Sequence, residues 1–303
     1  PPLFFFNDTA TTYINTLTLH DALPILENTR PRYSLLDMTR GITLLSMIAY
    51  HAAYDLTYLY HVRMPWFRDD PGQIWQQSIC WTFIFLSGMC FCLGRRPIKR
   101  GLLLTGCGII ITLATAFVMP DAIVIMGILS FFGLATLITA LLNPLLSRIP
   151  AFAGLPVSFL LFLLTKEAPY GYLGFESFRL LELPRFLYQG KIMMVLGFPY
   201  DGFYSTDYFP LIPWIFLFFS GYFTWQLILW AALLRQKAAE RYAFLRNASA
   251  GRGIPASSVR LPLLEKPKCQ PLEFLGKNTL PVYMLHQPVL MAIFTLIDLI
   301  GVL

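Results

Sequence analysis

Seven long apolar blocks constrain the fold of this chain more than any other feature of its sequence. A helix needs about 20 predominantly apolar residues to cross a bilayer, and only 13% of the residues here are charged, against about 25% in soluble domains. The sequence therefore predicts an all-α, polytopic transmembrane helical bundle of about seven spans rather than a soluble domain. The blocks lie at about residues 41–60, 76–94, 101–119, 122–146, 151–165, 209–234 and 279–301.

The distribution of Lys and Arg predicts the orientation of these spans. Placing the segment before residue 41 in the cytoplasm puts most of the 23 Lys and Arg residues on the inner side, as the positive-inside rule requires. We therefore expect a cytoplasmic N-terminus. The net charge of +6 needs no nucleic-acid partner. The basic inner segment 235–268 suits anionic lipid headgroups or an anionic cytoplasmic cofactor.

The first 26 residues, PPLFFFNDTATTYINTLTLHDALPIL, fit neither a signal peptide nor a span. The stretch has no basic n-region, and Asn7 and Asp8 break its apolar run. Its segment HDALPI resembles the translation of a sequencing-adapter oligonucleotide. We therefore expect residues 1–26 to be a disordered artefact with few contacts to the bundle, and the membrane domain to occupy residues 27–303.

The first block carries a stripe of ionisable side chains in the text LLDMTRGITLLSMIAYHAAYDLTYLYH, residues 35–61. A helix turns about 100° and rises about 1.5 Å per residue, which places His51 on the face of Arg40 and roughly 16 Å further along the axis. Asp37 and Asp55 fall within about 60° of Arg40 on the same face. Ionisable groups inside a span are expensive and by default indicate a functional site.

The spacing of these residues supports a catalytic hypothesis and a simpler one. Asp55 lies four residues after His51, where a carboxylate can fix the imidazole tautomer of a general base. Arg40, at the cytoplasmic mouth, has a fork that suits phosphate or carboxylate. Alternatively, Arg40 is a positive-inside anchor, and His51 with Asp55 is a buried polar pair that only locks helices together.

Two further features bear on function. The long outer segment 166–208 is rich in aromatic residues, which argues against disorder. It is either an interfacial aromatic belt or a substrate-binding lid.

The five cysteines form no CxxC or Cys/His pairing at zinc spacing, so the sequence predicts no metal site.

Arg40, ten intervening residues and His51 reproduce the R-x10-H pattern of membrane acyltransferases of the acyltransferase-3 type. The surrounding text resembles more closely the bacterial relatives of heparan-α-glucosaminide N-acetyltransferase, and the likeness runs from about residue 33 to 300. Three further stretches resemble spans of that family in the same order, namely FIFLSGMCFCLG (83–94), STDYFPLIPWIFLFFSGY (205–222) and LEFLGKNTLPVYMLHQPVL (272–290).

The resemblance implies an activity, a set of partners and a location. The family transfers an acetyl group from acetyl-CoA on the cytoplasmic side to a sugar or glycan on the far side. The chain is then expected to be a multi-pass protein of the cell membrane, surrounded by lipid. Carried over residue by residue, His51 becomes the catalytic base, Asp55 its orienting partner and Arg40 a ligand of the acyl donor.

The later matched stretches supply the remaining site candidates. Asp207, Asn278 and His286 are expected to bind the acceptor, whereas Trp214 is expected to pack. A hydrogen bond across helices without chemistry is an equally good interpretation of His286. Ser130 stands where a His is expected in many relatives, so any role of that His is lost or moved here.

Two other functional classes compete with an acetyltransferase. A transporter or flippase of a polar or lipid-linked sugar would also place charged groups in the bundle, but no internal repeat supports it. A non-catalytic member of the same fold is the third hypothesis. For the enzyme, direct attack on the thioester and a covalent acetyl-histidine route both stay open.

Overall fold

The computed structural model describes residues 33–176, 178–248, 262–265 and 269–300. The predicted artefact at 1–26 and much of the basic segment 235–268 lie outside the described residues. Within the described ranges the chain forms eleven α-helices: α1 (Ser34–Tyr58), α2 (Pro65–Arg68), α3 (Asp70–Phe91), α4 (Pro97–Val118), α5 (Ile128–Leu146), α6 (Ala151–Thr165), α7 (Met193–Leu196), α8 (Leu211–Ala248), α9 (Pro262–Glu265), α10 (Gln270–Lys277) and α11 (Thr279–Leu299).

The long helices coincide with the predicted apolar blocks. Among the described residues, five helices are long and apolar enough to cross a membrane, namely α4, α5, α6 with the turn that follows it, the first part of α8, and α11. Helices α1 and α3 have 25 and 22 residues and a more polar composition. Each of the seven predicted blocks therefore corresponds to one long helix, and the all-α polytopic architecture is confirmed.

The start of α5 differs from the prediction, which placed the block at 122–146. The helix begins at Ile128, after a short 3₁₀ turn at Pro120–Ala122. The intervening residues pair instead with a distant segment: Thr206 N–H donates to the Ile123 carbonyl, and Phe209 N–H donates to that of Met126. A tertiary contact thus replaces the first turns that hydropathy alone predicts.

Glycines allow the helices to approach closely, as is common in membrane bundles. A Cβ atom on Gly88 of α3 would collide with the Phe218 carbonyl oxygen of α8. In return, a Cβ atom on Gly221 of α8 would collide with the Phe85 carbonyl oxygen of α3. This reciprocal contact brings the two backbones together in the middle of the bundle.

Aromatic side chains fill the core between α6 and α8. Trp214 is 9% exposed, and its ring centroid lies 5.6 Å from that of Phe162 and 5.1 Å from that of Phe209. Phe218 and Tyr222 follow on the same buried face of α8. Trp214 therefore packs, as expected.

The segment 166–208 is folded. It contains an antiparallel hairpin of β1 (Tyr172–Phe175) and β2 (Phe178–Glu182), with a register shift between Leu173 and Gly174. Its aromatic side chains make defined contacts. The Tyr188 hydroxyl donates to the Ala168 carbonyl at 2.5 Å, and the Tyr208 hydroxyl donates to that of Met194 at the same distance.

Candidate active site

One cavity of about 360 Å³ lies between α1, α3, α4, α5 and α11. It is long, because α1 contributes both Arg40 and His51 to its wall, and these are eleven residues or roughly 16 Å apart on a helix. The wall facing α1 includes Gln76 and Ser87 of α3, which have the same separation. The predicted alignment of Arg40 and His51 on one face of α1 is therefore present in the structure.

Three cations lie at one end of this cavity, which we call the cationic end: Arg40, Arg100 and Lys277. Arg40 Nη1 lies 3.7 Å from the Asp37 carboxylate, and Lys277 Nζ lies 3.6 Å from that of Glu273. Two carboxylates thus offset part of the positive charge. The cationic end combines two planar guanidinium groups and one ammonium, which suits a ligand with several phosphate groups.

Close contact between α1 and α10 brings Arg40 and Lys277 together. A Cβ atom on Gly41 would collide with the Leu272 carbonyl oxygen, and one on Gly276 would collide with the Asp37 carbonyl oxygen. Both glycines neighbour a cation in the chain. The two small residues therefore set the distance at which the cations of separate helices face the same space.

The opposite end, which we call the histidine end, is lined by His51, Asp207 and Tyr283 together with Tyr50 and Gln76. In the part of the chain that the structure describes, neither the His51 ring nor the Tyr283 hydroxyl makes a hydrogen bond to protein. The histidine end therefore presents polar groups that are free to bind a ligand.

Asp207 reaches the cavity from the segment that precedes α8. Its Oδ2 accepts the Ile128 N–H at 3.0 Å and so caps the first turn of α5, while its Oδ1 has no protein partner in the described structure. A Cβ atom on Gly127 would crowd this carboxylate, which explains the glycine there. Burial raises the pKa of Asp207 to about 6, although the bond from Ile128 lowers it in part. Among the described residues that line the cavity, Asp207 is the one carboxylate.

His286 of α11 lies beside His51, with ring centroids 4.8 Å apart. Its Nδ1 is 2.5 Å from the Tyr283 carbonyl oxygen, and because a carbonyl only accepts, Nδ1 carries the proton. The other ring nitrogen, Nε2, is then an acceptor, and it is buried without a hydrogen-bond partner among the residues that the structure describes. The structure therefore brings two imidazoles together, one on each of two helices.

Asp55 is 1% exposed and pairs with α11 rather than with His51. Gln287 Nε2 donates to both carboxylate oxygens of Asp55, at 2.8 and 3.0 Å. Among the described residues, no hydrogen bond joins Asp55 to His51. The roughly 40° between these two positions on α1 is enough to direct His51 into the cavity and Asp55 toward Gln287.

The sequence of this chain matches the model of a known protein family. The model of the catalytic region of heparan-alpha-glucosaminide N-acetyltransferase matches residues 32–288, most of the chain. The chain belongs to this family. No curated protein and no solved structure matches it. The family membership establishes a membrane acetyltransferase in general terms, and the resemblance stated above is confirmed.

Within this heparan-alpha-glucosaminide N-acetyltransferase family member, two expected positions have other surroundings. Asn278 lies between α10 and α11 at the cationic end, and its side-chain amide donates to the Phe274 carbonyl at 2.9 Å. Asn278 is not among the described residues that line the cavity, whereas Asp207 is. Ser130 lies in the seam between α4 and α5, where a Cβ atom on Gly108 would collide with it. A histidine ring has no room at that contact.

Sequence reasoning did not single out Arg100, Lys277, Tyr283 and Gln287 in this family member. The signal that finds all four is tertiary, because each faces a residue far away in the chain. For Gln287, adjacency to His286 in the text LHQP was the only sequence clue.

Proposed function

We propose that this protein transfers an acetyl group from acetyl-CoA, bound at the cationic end of the cavity, to an amine or hydroxyl of a sugar at the histidine end. One observation carries the proposal. A single cavity has three cations at one end and an imidazole with a carboxylate at the other. Its volume of about 360 Å³ lies within the usual range for ligand sites, roughly 300–1,000 Å³.

Arg40, Arg100 and Lys277 are assigned to the donor. Coenzyme A carries three phosphates, and guanidinium and ammonium groups are the side chains that bind phosphate most strongly. With these phosphates at the cationic end, the thioester arm extends along the apolar middle of the cavity toward His51. Arg40 and His51 are roughly 16 Å apart on α1. The extended thioester arm of acetyl-CoA can span this distance, whereas a compact ligand cannot.

His51 and Asp207 are assigned to the acceptor. In the direct route, an acceptor nitrogen or oxygen attacks the thioester carbonyl carbon and its proton passes to His51. The C–S bond then breaks, and the coenzyme A thiolate takes that proton from His51. In the covalent route, a ring nitrogen of His51 attacks the thioester carbonyl carbon, the C–S bond breaks and coenzyme A leaves as the thiolate. The acceptor then attacks the acetyl-imidazole, the bond from the acetyl carbon to the ring nitrogen breaks, and the acceptor's proton passes through the freed imidazole to the thiolate. Asp207 Oδ1 is available to hold an ammonium or hydroxyl group, and a bound ammonium gives one proton to solvent before the neutral amine attacks.

Sidedness and location belong to the same proposal. We place the cationic end at the cytoplasmic face and the histidine end at the outer face of the cell membrane, in accord with the distribution of Lys and Arg. The donor and the acceptor then never share a compartment. The cavity provides a path of roughly 16 Å for the acetyl group, about half of the hydrocarbon core of ~30 Å.

The test uses the full chain in nanodiscs with acetyl-CoA and glucosamine as probes. We expect acetylglucosamine and free thiol to form in equal amounts. His51→Ala should lower kcat by about 10²–10⁴-fold. His61→Ala is the matched control, because His61 is exposed and lies beyond the end of α1. Equal turnover by wild type and His51→Ala would refute the catalytic role of His51.

A transporter can be distinguished from an enzyme by measuring glucosamine uptake with the same protein in sealed vesicles. Uptake of glucosamine without any acyl donor would favour transport. Acetylglucosamine that forms on the side of the sugar when acetyl-CoA is supplied on the other side, without uptake of the sugar, supports the enzyme. A chain that binds acetyl-CoA but forms no product with any acceptor would match the non-catalytic member of the family.

A further inference from the structure

We infer that His286 orients the catalytic imidazole of His51, and that the pair Asp55–Gln287 holds His286 in place to do so. This inference rests on the proposed function, since it assigns positioning roles around the proposed base. It moves the orienting role from Asp55, where the sequence placed it, to a residue of another helix. Gln287 becomes a positioning residue.

The hydrogen bond of His286 Nδ1 determines which nitrogen of its ring carries the proton. Its Nδ1–H donates to the Tyr283 carbonyl one turn earlier in α11, which leaves Nε2 as a bare acceptor. Buried polar atoms without partners are rare in folded proteins, and each needs an explanation. The buried His286 Nε2 is such an atom. It needs a donor, and a side chain of a neighbouring helix can supply one.

His51 is a neighbouring group that can supply this donor. The two ring centroids are 4.8 Å apart and the ring planes are inclined by 57°. At this separation, rotation of the His51 ring brings one of its N–H groups to His286 Nε2. Hydrogen bonds of catalytic groups are often loose in the absence of substrate and tighten in the reacting complex. This bond leaves the second ring nitrogen of His51 with its lone pair toward the cavity.

The pair Asp55–Gln287 sets the register that makes this contact possible. On α1, Asp55 is one turn beyond His51, and on α11, Gln287 is the neighbour of His286. The two bonds of 2.8 and 3.0 Å join the helices at that level. A shift of α11 by one residue would remove both the amide and the imidazole from their partners. The pair therefore fixes His286 beside His51 and makes no contact with the cavity.

The test exchanges the carboxyl and amide groups of Asp55 and Gln287 in two steps, with side chains of the same size. Gln287→Glu sets two carboxyl groups against each other and should lower kcat by about 10²-fold, because small displacements of a catalytic group have effects of that size. The KM for acetyl-CoA should stay within about twofold, since the donor binds at the far end. The double variant Asp55→Asn with Gln287→Glu restores one carboxyl and one amide. It should recover most of the lost kcat.

A second measurement reads the orientation of His51 without using activity. The chain contains four histidines, so nitrogen NMR of histidine-labelled protein in nanodiscs resolves the tautomer of each ring. We expect one tautomer for His51 in the wild type and a mixture in His286→Phe, which keeps the ring volume without the acceptor. In Gln287→Glu the mixture should also appear, and the double variant should return the single tautomer.

The outcomes separate the two proposals. A single His51 tautomer that persists in His286→Phe and Gln287→Glu would overturn the positioning role, as would a mixture in the wild type. Loss of folding stability in Gln287→Glu with unchanged kcat and unchanged tautomer would reduce the pair to a helix lock. If the wild type transfers no acetyl group but shows the expected tautomers, the proposed function fails and the positioning of His51 stands.

Discussion

The side-chain amide of Gln287 donates to both carboxylate oxygens of Asp55, 232 residues away in the sequence. This contact joins the last described helix of the bundle to the first. Replacing Gln287 by Leu leaves the buried carboxylate of Asp55 without its donor. Polar bonds between membrane helices average about 0.6 kcal/mol and reach about 1.7 kcal/mol. We expect Gln287→Leu to lose stability near the upper value, as measured by thermal unfolding in detergent.

The control for this prediction is the double variant Asp55→Leu with Gln287→Leu. Removing both partners leaves no unpaired buried group, and such replacements are often close to neutral. The double variant should therefore be more stable than Gln287→Leu alone. Additive losses would show that the two side chains contribute independently.

The pKa of Asp207, raised by burial to about 6, predicts how acceptor binding depends on pH. Above pH 6 the carboxylate is ionised and attracts an ammonium group, and below pH 6 it is neutral and the attraction is lost. The KM for glucosamine should rise about tenfold between pH 7 and pH 5, following the ionised fraction of one group.

Asp207→Asn isolates this effect. Its amide oxygen still accepts the Ile128 N–H, so the cap of α5 is retained. The variant should have a high KM for glucosamine at pH 7 that no longer rises toward pH 5. An unchanged pH dependence in Asp207→Asn would assign it to another group.

Arg100 and Lys277 line the cavity with Arg40, whereas Lys99 is exposed on the first turn of the same helix as Arg100. Arg100→Ala and Lys277→Ala should each weaken coenzyme A binding by about 10-fold or more, because a charge-assisted hydrogen bond contributes about 1.5–3 kcal/mol. Lys99→Ala should bind within about twofold of wild type. Isothermal titration measures the affinity of each of the three variants for coenzyme A. Equal affinities of all three and the wild type would contradict the binding of the donor at the cationic end.

The reciprocal glycines of α3 and α8 predict a packing effect. Gly221→Ala forces a methyl group against the Phe85 carbonyl oxygen and should cost about 1–3 kcal/mol, as overpacking does. Gly106 of α4 has open space around its Cβ position, so Gly106→Ala should be neutral or stabilising by up to about 1 kcal/mol. Thermal unfolding of the two variants side by side tests the contact, and equal midpoints would contradict it.

The sequence predicted the long helices well because apolar length is a local property. It failed where distant residues decide. The start of α5 depends on Asp207, 79 residues later, and the partner of Asp55 depends on Gln287. Spacing on one helix placed Asp55 beside His51, but a side chain pairs with whatever the bundle brings to it. Arg40 and His51 could be predicted to face the same space because one helix carries both, and both line the cavity.

The central claim is that one cavity joins a donor on one side of the membrane to an acceptor on the other. The most direct measurement uses sealed proteoliposomes that contain glucosamine, with acetyl-CoA added only outside. For the fraction of molecules whose cationic end faces outward, the account predicts acetylglucosamine inside, free coenzyme A outside, and neither with His51→Ala. Product found only when donor and acceptor are enclosed together would contradict it.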